Sequence, residues 1–485
     1  MLRATTDNLP IMRLLIFSII LFTAAGAFAQ SGRMKGGGTP SQTEITVAES
    51  ASTVKQMFDE ANGYIRAKGA EFDAKRVQFS DRLFIQTKLE QRQLAAKYAA
   101  TAASRKSLAG DDFYYLGMLH WIAENMDGTV EALRKFVATE GADVVRRQTA
   151  RSIMVVVLAK RKKLDEAETL LAEYLKSEPT KLTERSRMEG ELSKAYQSQK
   201  DYVKMSPHAE AAYSASKGLL QDASSRARGL DEILDAGMLV FEAFRDSGSQ
   251  KKAEDALEDM RATAASVGSP SFYYYAVDQK IKFLIGAGRK PEAMEFYRVT
   301  LAGAEKDFTA KEAQADVISR LKKREKHYKL LGETAPDLPA VDQWFPGTPK
   351  TMADFKGKVV LLDFWATWCG PCFEAFPSLK EWHQDFGRDG FEILGVTRYY
   401  GIVGGMPSDN PSEIAYFKRF RQKESLPYDF VITKDQSSQM LYGATALPTA
   451  VLIDRKGVVR YIESGTSPTR LENMREMVVK LLAEK

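Results

Sequence analysis

The spacing of apolar residues divides the chain into two regions. Between residues 49 and 330 they recur at helical spacing among Ala, Leu, Lys, Glu and Arg, and runs of β-branched residues are few. From residue 333 onward, short apolar runs alternate with amphipathic segments, which predicts strands followed by helices. The sequence therefore predicts an all-α domain at 49–330 and an α/β domain at 333–485. A Gly- and Pro-containing segment separates them, and we expect the two domains to fold separately.

The helical region contains a loose repeat. A small alanine, with a large residue one turn later, lets two helices approach closely. Such alanines lie 35, 42, 44 and 40 residues apart, against about 34 residues for the regular tetratricopeptide motif. They are Ala132, Ala167, Ala209, Ala253 and Ala293. The pattern resembles degenerate tetratricopeptide-like helical pairs, although an irregular α-bundle would produce similar spacing.

The first 48 residues read as a targeting segment and a leader. An apolar stretch follows Arg13 and ends in Ala27-Phe28-Ala29, which is typical of a secretory signal peptide over residues 1–29. This stretch is short for a membrane span, which needs about 20 residues. Residues 30–48 are rich in Gly, Ser and Thr and predict a flexible leader. We expect an exported, periplasmic or otherwise extracytoplasmic protein, with an uncleaved membrane anchor as the alternative.

One stretch of the α/β region carries candidate chemistry. Residues 359–376 read VVLLDFWATWCGPCFEAF, an apolar run followed by a Cys-X-X-Cys turn and then by apolar residues at helical spacing. This order puts Cys369 at a helix N-terminus, where unpaired N–H groups and the helix dipole favour a thiolate. Cys372 follows one turn later, close enough to form a disulfide with Cys369 and expel a bound partner. We expect Cys369 to be the nucleophile and Cys372 the resolving thiol.

The chain has only these two cysteines. A structural disulfide across so short a loop would restrain little chain entropy. A zinc site would need two more ligands, and the four histidines are scattered without ligand spacing. A redox-active dithiol is therefore the favoured interpretation, with a structural staple or a metal site as the alternatives. We expect no metal and no cofactor beyond the Cys369–Cys372 disulfide itself.

The surrounding residues carry a family resemblance. The segment DFWATWCGPC resembles the active-site segment of thioredoxin-fold proteins almost letter for letter. With GETAPDLP before it and ALPTAVLIDRKG after it, the region 333–485 resembles the exported TlpA/ResA-like branch of thiol–disulfide oxidoreductases, within the AhpC/TSA–Redoxin superfamily. The resemblance covers about a third of the chain and implies a thioredoxin fold there. It also implies that Trp368, Gly370 and Pro371 contact the substrate around the dithiol.

The resemblance assigns roles at two further places. Asp363, inside the apolar strand, would be the buried acid that exchanges a proton near Cys372; a strand-edge aspartate facing water is the alternative. Pro448 would be a cis-proline that faces the dithiol, flanked by Leu447 and Thr449, whose backbone presents the substrate chain. A trans turn proline is the alternative at this position.

Charge and the residues between the cysteines bear on partners. The net charge is +5 and both signs are interspersed, so we expect no nucleic-acid ligand. Gly370-Pro371 resembles the pair in reducing thioredoxins, so we expect reduction of substrate proteins that carry disulfides. That direction would require a membrane electron donor, and the family resemblance implies one of DsbD/CcdA type. Aromatic clusters at 113–115 and 272–275 would either grip a peptide or protein partner of the helical domain or pack between helices.

Two rival functions remain from the sequence. The chain could be a scaffold whose helical domain binds a partner while the redox domain is secondary. It could also be a peroxiredoxin-like peroxidase, but that class needs a lone cysteine in a Thr/Ser-x-x-Cys setting, which the Trp368-Cys369 context does not provide.

The chain departs from the family pattern at one position. Many exported relatives carry a glutamate three residues after the second cysteine, where this chain has Ala375, with Glu374 one earlier.

Overall fold

The computed structural model describes residues 52–484, and this part begins with thirteen α-helices. They are α1 (Val54–Ala74), α2 (Asp81–Ala103), α3 (Asp111–Ile122), α4 (Met126–Val137), α5 (Val144–Lys160), α6 (Leu164–Leu175), α7 (Leu182–Ser198), α8 (Tyr202–Leu219), α9 (Arg226–Asp246), α10 (Gln250–Ser266), α11 (Pro270–Gly286), α12 (Lys290–Asp307) and α13 (Lys311–Leu330). The predicted signal peptide (1–29) and leader (30–48) lie outside the described residues. No helix between residues 52 and 484 is long and apolar enough to cross a membrane.

The helices from α3 to α12 form five successive pairs with the same turn. Each first helix ends in a left-handed residue that lets the chain reverse, and the following N–H bonds a carbonyl of the last helical turn. These residues are Glu124, Lys162, Lys200, Gly248 and Gly288. The five alanines of the loose repeat all lie in the second helix of a pair and are buried. Their small side chains allow each pair to pack closely, as the spacing predicts.

Both aromatic clusters of the helical domain contribute to its core. Tyr114 is buried and its ring centroid lies 5.1 Å from that of Phe136 in α4. Tyr273 is buried and packs edge-on against Phe308 after α12, also at 5.1 Å. These tyrosines hold neighbouring helices together and do not line an open surface.

A six-stranded mixed sheet follows the helices, with strand order β1-β6-β3-β2-β7-β8. The elements are β1 (Val341–Phe345), β2 (Val359–Phe364), α14 (Gly370–Phe386), β3 (Phe391–Arg398), β4 (Ile402–Val403), β5 (Met406–Pro407), α15 (Asn410–Glu424), β6 (Asp429–Thr433), α16 (Ser437–Tyr442), β7 (Thr449–Ile453), β8 (Val459–Ser464) and α17 (Pro468–Ala483). β2, β3 and β6 run parallel, while β1, β7 and β8 are antiparallel to their neighbours. The predicted fold class, an all-α domain followed by an α/β thioredoxin-fold domain, is confirmed. The sequence prediction lacked β1, α16 and the small β4–β5 hairpin.

The central strand β2 is buried on both sides of the sheet. Alternate residues face opposite ways, so Leu361 joins a core with α14, α15 and α17, while Leu362 joins the core on the other face. Just after β2 the Trp365 ring stacks on Phe420 of α15, with ring centroids 5.1 Å apart. This ring crosses β3 at Gly395, where a Cβ atom would lie 2.8 Å from the indole nitrogen. A glycine is therefore needed for the aromatic cluster to reach the sheet.

The helical domain covers the second face of the sheet. Leu321 and Tyr328 of α13 belong to the same hydrophobic core as Leu362 and Phe364 of β2. The His327 ring, also on α13, hydrogen-bonds the carbonyl of Gly443 at 2.9 Å. Helix α13 ends at Leu330 and strand β1 begins at Val341, and the two regions share one hydrophobic core.

Buried charges add to this contact. Asp278 of α11 accepts from Tyr328 at 2.8 Å and pairs with Lys282 at 2.8 Å. Burial alone would raise the pKa of Asp278, but the charges of Lys282 and Arg324 outweigh it and hold that pKa below its usual range. Arg324 also donates to the carbonyl of Ile462 in β8 at 3.4 Å. The network therefore ties α11 and α13 to the last strand of the sheet.

Because the core is shared, the expectation of separate folding from the sequence is replaced here by the expectation that the two domains unfold together. Four of the five tryptophans lie between residues 344 and 382, so tryptophan fluorescence reports mainly the sheet domain, whereas circular dichroism at 222 nm reports mainly the helices. The two probes should give coincident urea midpoints. His327→Ala removes the bond to Gly443 and should lower both midpoints together. Clearly different midpoints in the unchanged chain would show instead that the domains fold independently.

Candidate functional site

The two cysteines lie where β2 gives way to α14. Cys369 is the residue before the helix, with extended backbone angles, and Cys372 is in its first turn. The two form a disulfide with their Cα atoms 5.4 Å apart. Both cysteines are buried, Cys369 at 4% exposure and Cys372 at 1%. Cys369 precedes the helix, where a thiolate is favoured, and Cys372 lies inside its first turn.

Local backbone bonds hold this turn. The Trp365 N–H donates to the Val396 carbonyl of β3 at 3.0 Å, which extends the sheet one residue past β2. The Cys369 N–H then donates to the Ala366 carbonyl at 3.1 Å and closes the turn. Pro371 occupies the first turn of α14, where its missing N–H leaves no unpaired donor. Gly370 and Pro371 are exposed beside the disulfide, on the side open to a substrate.

Asp363 lies beneath this turn. Its side chain points into the same core as the two cysteines, and it is 3% exposed. Its Oδ2 atom has no hydrogen-bond partner among residues 52–484. Burial raises the pKa of Asp363 to about 7. A carboxyl group with that pKa exchanges protons near neutral pH, which suits a proton donor and acceptor for a thiol.

Helix α14 adds no carboxylate to this buried side. Ala375 is buried, whereas Glu374 is exposed. Asp363 is therefore the acid that the fold brings to the buried side of the turn.

The loop before β7 forms the other wall of the site. The peptide bond between Leu447 and Pro448 is cis. Thr449 pairs with Phe364, the last residue of β2, so the register sets Pro448 beside the start of the Cys-X-X-Cys turn. The Thr449 hydroxyl lies 2.6 Å from the Ala446 carbonyl, to which it donates. Strand β2 thus carries Asp363 and leads into the turn with the two cysteines, and its pairing with β7 sets the 447–449 loop beside that turn.

Tyr400, which the sequence analysis did not include, pairs with Trp368 beside the dithiol. Trp368 is 59% exposed, and its ring meets Tyr400 edge-on with centroids 5.3 Å apart. Tyr400 opens the loop that carries the β4–β5 hairpin. The length of the Gly- and Pro-rich segment 399–412 was the available signal, because long loops in compact domains often carry function.

Metal ligands are not assembled in the described part of the chain. Between residues 52 and 484 no group of three or more His, Cys, Asp or Glu side chains could hold a metal ion. The two ring nitrogens of His208 are occupied by hydrogen bonds to Glu189 at 2.6 Å and Glu168 at 2.9 Å, as part of the packing between helices.

Known proteins match the region that holds the dithiol. The Redoxin family model matches residues 330–478. The thiol–disulfide oxidoreductase ResA of Geobacillus thermodenitrificans (strain NG80-2) is 34% identical over 142 residues, which are 29% of this chain and 74% of that protein. ResA of Bacillus subtilis (strain 168) is 32% identical over 135 residues, 28% of this chain and 68% of that protein.

Solved structures also match the region of the chain that holds the dithiol. The crystal structure of a putative thiol:disulfide interchange protein DsbE from Chlorobium tepidum has 27% sequence identity and a TM-score of 0.25, and the match covers 31% of this chain and 99% of that one. The fold and the dithiol at its helix N-terminus define a protein thiol–disulfide oxidoreductase of the thioredoxin-fold class. Through residues 330–478 the chain belongs to the Redoxin family, among the ResA-like thiol–disulfide oxidoreductases.

Proposed function

We propose that this protein is an exported reductase of protein disulfides that works through the Cys369–Cys372 dithiol. The single observation that carries the proposal is the pair itself, with Cys369 at the start of α14 and Cys372 in its first turn. A dithiol in this position is suited to two successive exchanges.

The reaction transfers two electrons from the Cys369–Cys372 dithiol to the substrate disulfide. The Cys369 thiolate attacks one sulfur of the substrate disulfide and forms a mixed disulfide, while the other substrate sulfur leaves as a thiolate and takes a proton. Cys372 then loses its proton to Asp363 and attacks Cys369. The substrate leaves with both sulfurs reduced, and the enzyme is left with the Cys369–Cys372 disulfide. A pKa near 7 lets Asp363 take up that proton at neutral pH.

The neighbouring residues have matching roles in this proposal. Trp368, Gly370 and Pro371 contact the substrate around the attacked sulfur. The backbone of Leu447 and Thr449, on either side of Pro448, aligns the substrate chain across the dithiol. The exposure of Trp368, Gly370 and Pro371 and the register of β7 on β2 support these roles.

Regeneration requires an outside source of electrons. Each turnover leaves the enzyme oxidised, so a dithiol donor must reduce it again. The proposed donor is a membrane protein of DsbD/CcdA type, since the predicted signal peptide at 1–29 sends the protein out of the cytoplasm. The tetratricopeptide-like helical domain is proposed to bind a peptide or protein partner.

Insulin reduction tests this function against a scaffold role. With dithiothreitol as donor, the full chain should accelerate precipitation of the insulin B chain well beyond dithiothreitol alone. A Cys369→Ser/Cys372→Ser double variant is the matched control and should give only the background rate. If the unchanged chain also gives only the background rate, the redox domain is secondary and the scaffold function takes its place.

A further inference from the structure

The β4–β5 hairpin, residues 401–408, stands beside the dithiol and is held there by a buried carboxylate. Glu413 in the first turn of α15 is 2% exposed. Its two oxygens accept the backbone N–H groups of Tyr400 at 3.0 Å and Gly401 at 2.7 Å. The Ser408 N–H donates to the Gly401 carbonyl at 2.9 Å and closes the base of the hairpin. A carboxylate that takes two backbone donors fixes the direction in which the hairpin leaves the sheet.

Tyr400 links the base of the hairpin to the active-site turn. Its ring meets Trp368 edge-on and lies 4.1 Å from the Arg398 guanidinium. The Gln439 amide donates to its hydroxyl at 3.0 Å. Three neighbours thus fix the tyrosine, so the hairpin has a defined position relative to the dithiol.

The hairpin presents apolar side chains to solvent. Ile402 is 45% exposed and Met406 is 69% exposed. Ile402 follows Tyr400 by two residues, a backbone span of at most about 7 Å, so the hairpin begins next to the Trp368–Tyr400 pair. Neither Ile402 nor Met406 belongs to a core of the described residues. Exposed apolar groups gathered beside a reactive group mark a surface that another molecule covers, and methionine adapts to varied partners.

We propose that the 401–408 hairpin is a substrate-selecting element: it binds apolar side chains next to the disulfide of a polypeptide substrate. Trp368, Ile402 and Met406 make the contact, and Glu413 is the positioning residue that holds the hairpin in place. This inference rests on the proposed disulfide reductase activity, because the occupant of the surface is the chain whose disulfide Cys369 attacks. The exchange itself is unchanged, so the hairpin affects which substrates react and leaves the electron balance as it is.

A pair of peptides tests the proposal directly. Both are cyclised by the same disulfide, and leucines flank the cysteines in one while serines flank them in the other. With dithiothreitol as donor, the unchanged full-length protein should reduce the leucine peptide with a kcat/KM roughly tenfold above that for the serine peptide. Ile402→Ser/Met406→Ser should abolish this preference through KM. Reduction of a small disulfide, bis(2-hydroxyethyl) disulfide, should be unchanged in that variant.

Val479→Ser is the matched control. Val479 is 44% exposed on α17. Arg455 donates to the Leu482 carbonyl, near the end of this helix, and to the Gly357 carbonyl, just before β2. This end of α17 therefore lies at the opposite end of β2 from the dithiol. This variant should keep the peptide preference. Glu413→Gln loses one of the two acceptors and should weaken the preference while small-disulfide reduction persists.

The outcomes distinguish a failure of the hairpin proposal from a failure of the reductase function. Equal reduction of both peptides by the unchanged protein, or a preference that survives Ile402→Ser/Met406→Ser, overturns the hairpin proposal and leaves the reductase function standing. If the unchanged protein reduces neither peptide nor the small disulfide, the reductase function itself fails.

Discussion

The Cys372→Ser variant is expected to stall with its substrate attached, and the Cys369→Ser variant is expected neither to turn over nor to attach. In the first variant Cys369 can still attack, but no thiol in the same turn can release the mixed disulfide. An intramolecular thiol acts at a very high effective concentration, so its loss should slow turnover by a factor on the order of 10³ or more. In the second variant the remaining sulfur, at Cys372, is 1% exposed and is shielded from substrate.

Non-reducing gel electrophoresis after incubation with an oxidised substrate measures this difference. The Cys372→Ser protein should shift to a higher mass that dithiothreitol reverses, and the Cys369→Ser protein should not shift. The double serine variant controls for non-covalent association. A shift found only with Cys369→Ser would reverse the roles given to the two sulfurs.

Replacement of Asp363 by asparagine is expected to stabilise the fold above neutral pH. The folded-state pKa of about 7 lies above the ordinary aspartate value of 3.8. Between those two pH values the unfolded chain loses the Asp363 proton while the folded chain keeps it, so the free energy of unfolding falls as the pH rises. The loss is complete above pH 7 and absent below about pH 4. Asp363→Asn removes this loss of stability and should raise the free energy of unfolding at pH 8 by an amount on the order of 4 kcal/mol.

Urea unfolding of both proteins at pH 4 and pH 8 checks this expectation. The variant should unfold at a clearly higher urea concentration than the unchanged protein at pH 8, and the two should come together at pH 4. Asp385→Asn, at an exposed position on α14, is the control and should leave the midpoints unchanged. Equal midpoints for Asp363→Asn and the unchanged protein at pH 8 would contradict a buried carboxyl group with a raised pKa.

The same variant should react more slowly. Asparagine cannot take the Cys372 proton, so release of the mixed disulfide should slow by about 10²-fold. In the unchanged protein the release rate should rise as the pH passes through about 7, and Asp363→Asn should lack that rise. Stopped-flow tryptophan fluorescence can follow release of the mixed disulfide, because Trp365 and Trp368 lie just before Cys369. A stabilised variant with an unaltered release rate would give Asp363 a structural role only.

The sequence predicts the parts of the site that are local in the chain. An apolar run, a Cys-X-X-Cys turn and a helical apolar pattern are all contained in residues 359–386, so β2 and α14 follow from the sequence. The burial of Asp363 is favoured because Leu361 and Trp365, on the same face of the chain, are apolar, but the sequence left a water-facing aspartate as an alternative.

The missing parts depend on contacts between distant residues. Arg324 and Ile462 are 138 residues apart, and His327 and Gly443 are 116 apart, so no local pattern shows that helix α13 covers the sheet. The hairpin was missed for a related reason. Its two strands have two residues each, and its position depends on Glu413, which in sequence is simply an acidic residue at a helix start.

The redox state of Cys369 and Cys372 in the intact cell tests the central claim most directly. Cells expressing the full chain are quenched with acid, and free thiols are labelled with a maleimide that adds mass to each cysteine. The double serine variant marks the position of unlabelled protein. A reductase that receives electrons from a donor should carry most of its pair as the dithiol, and so gain two labels. A pair found mostly as the unlabelled disulfide would contradict reduction and assign the protein an oxidising or isomerising role.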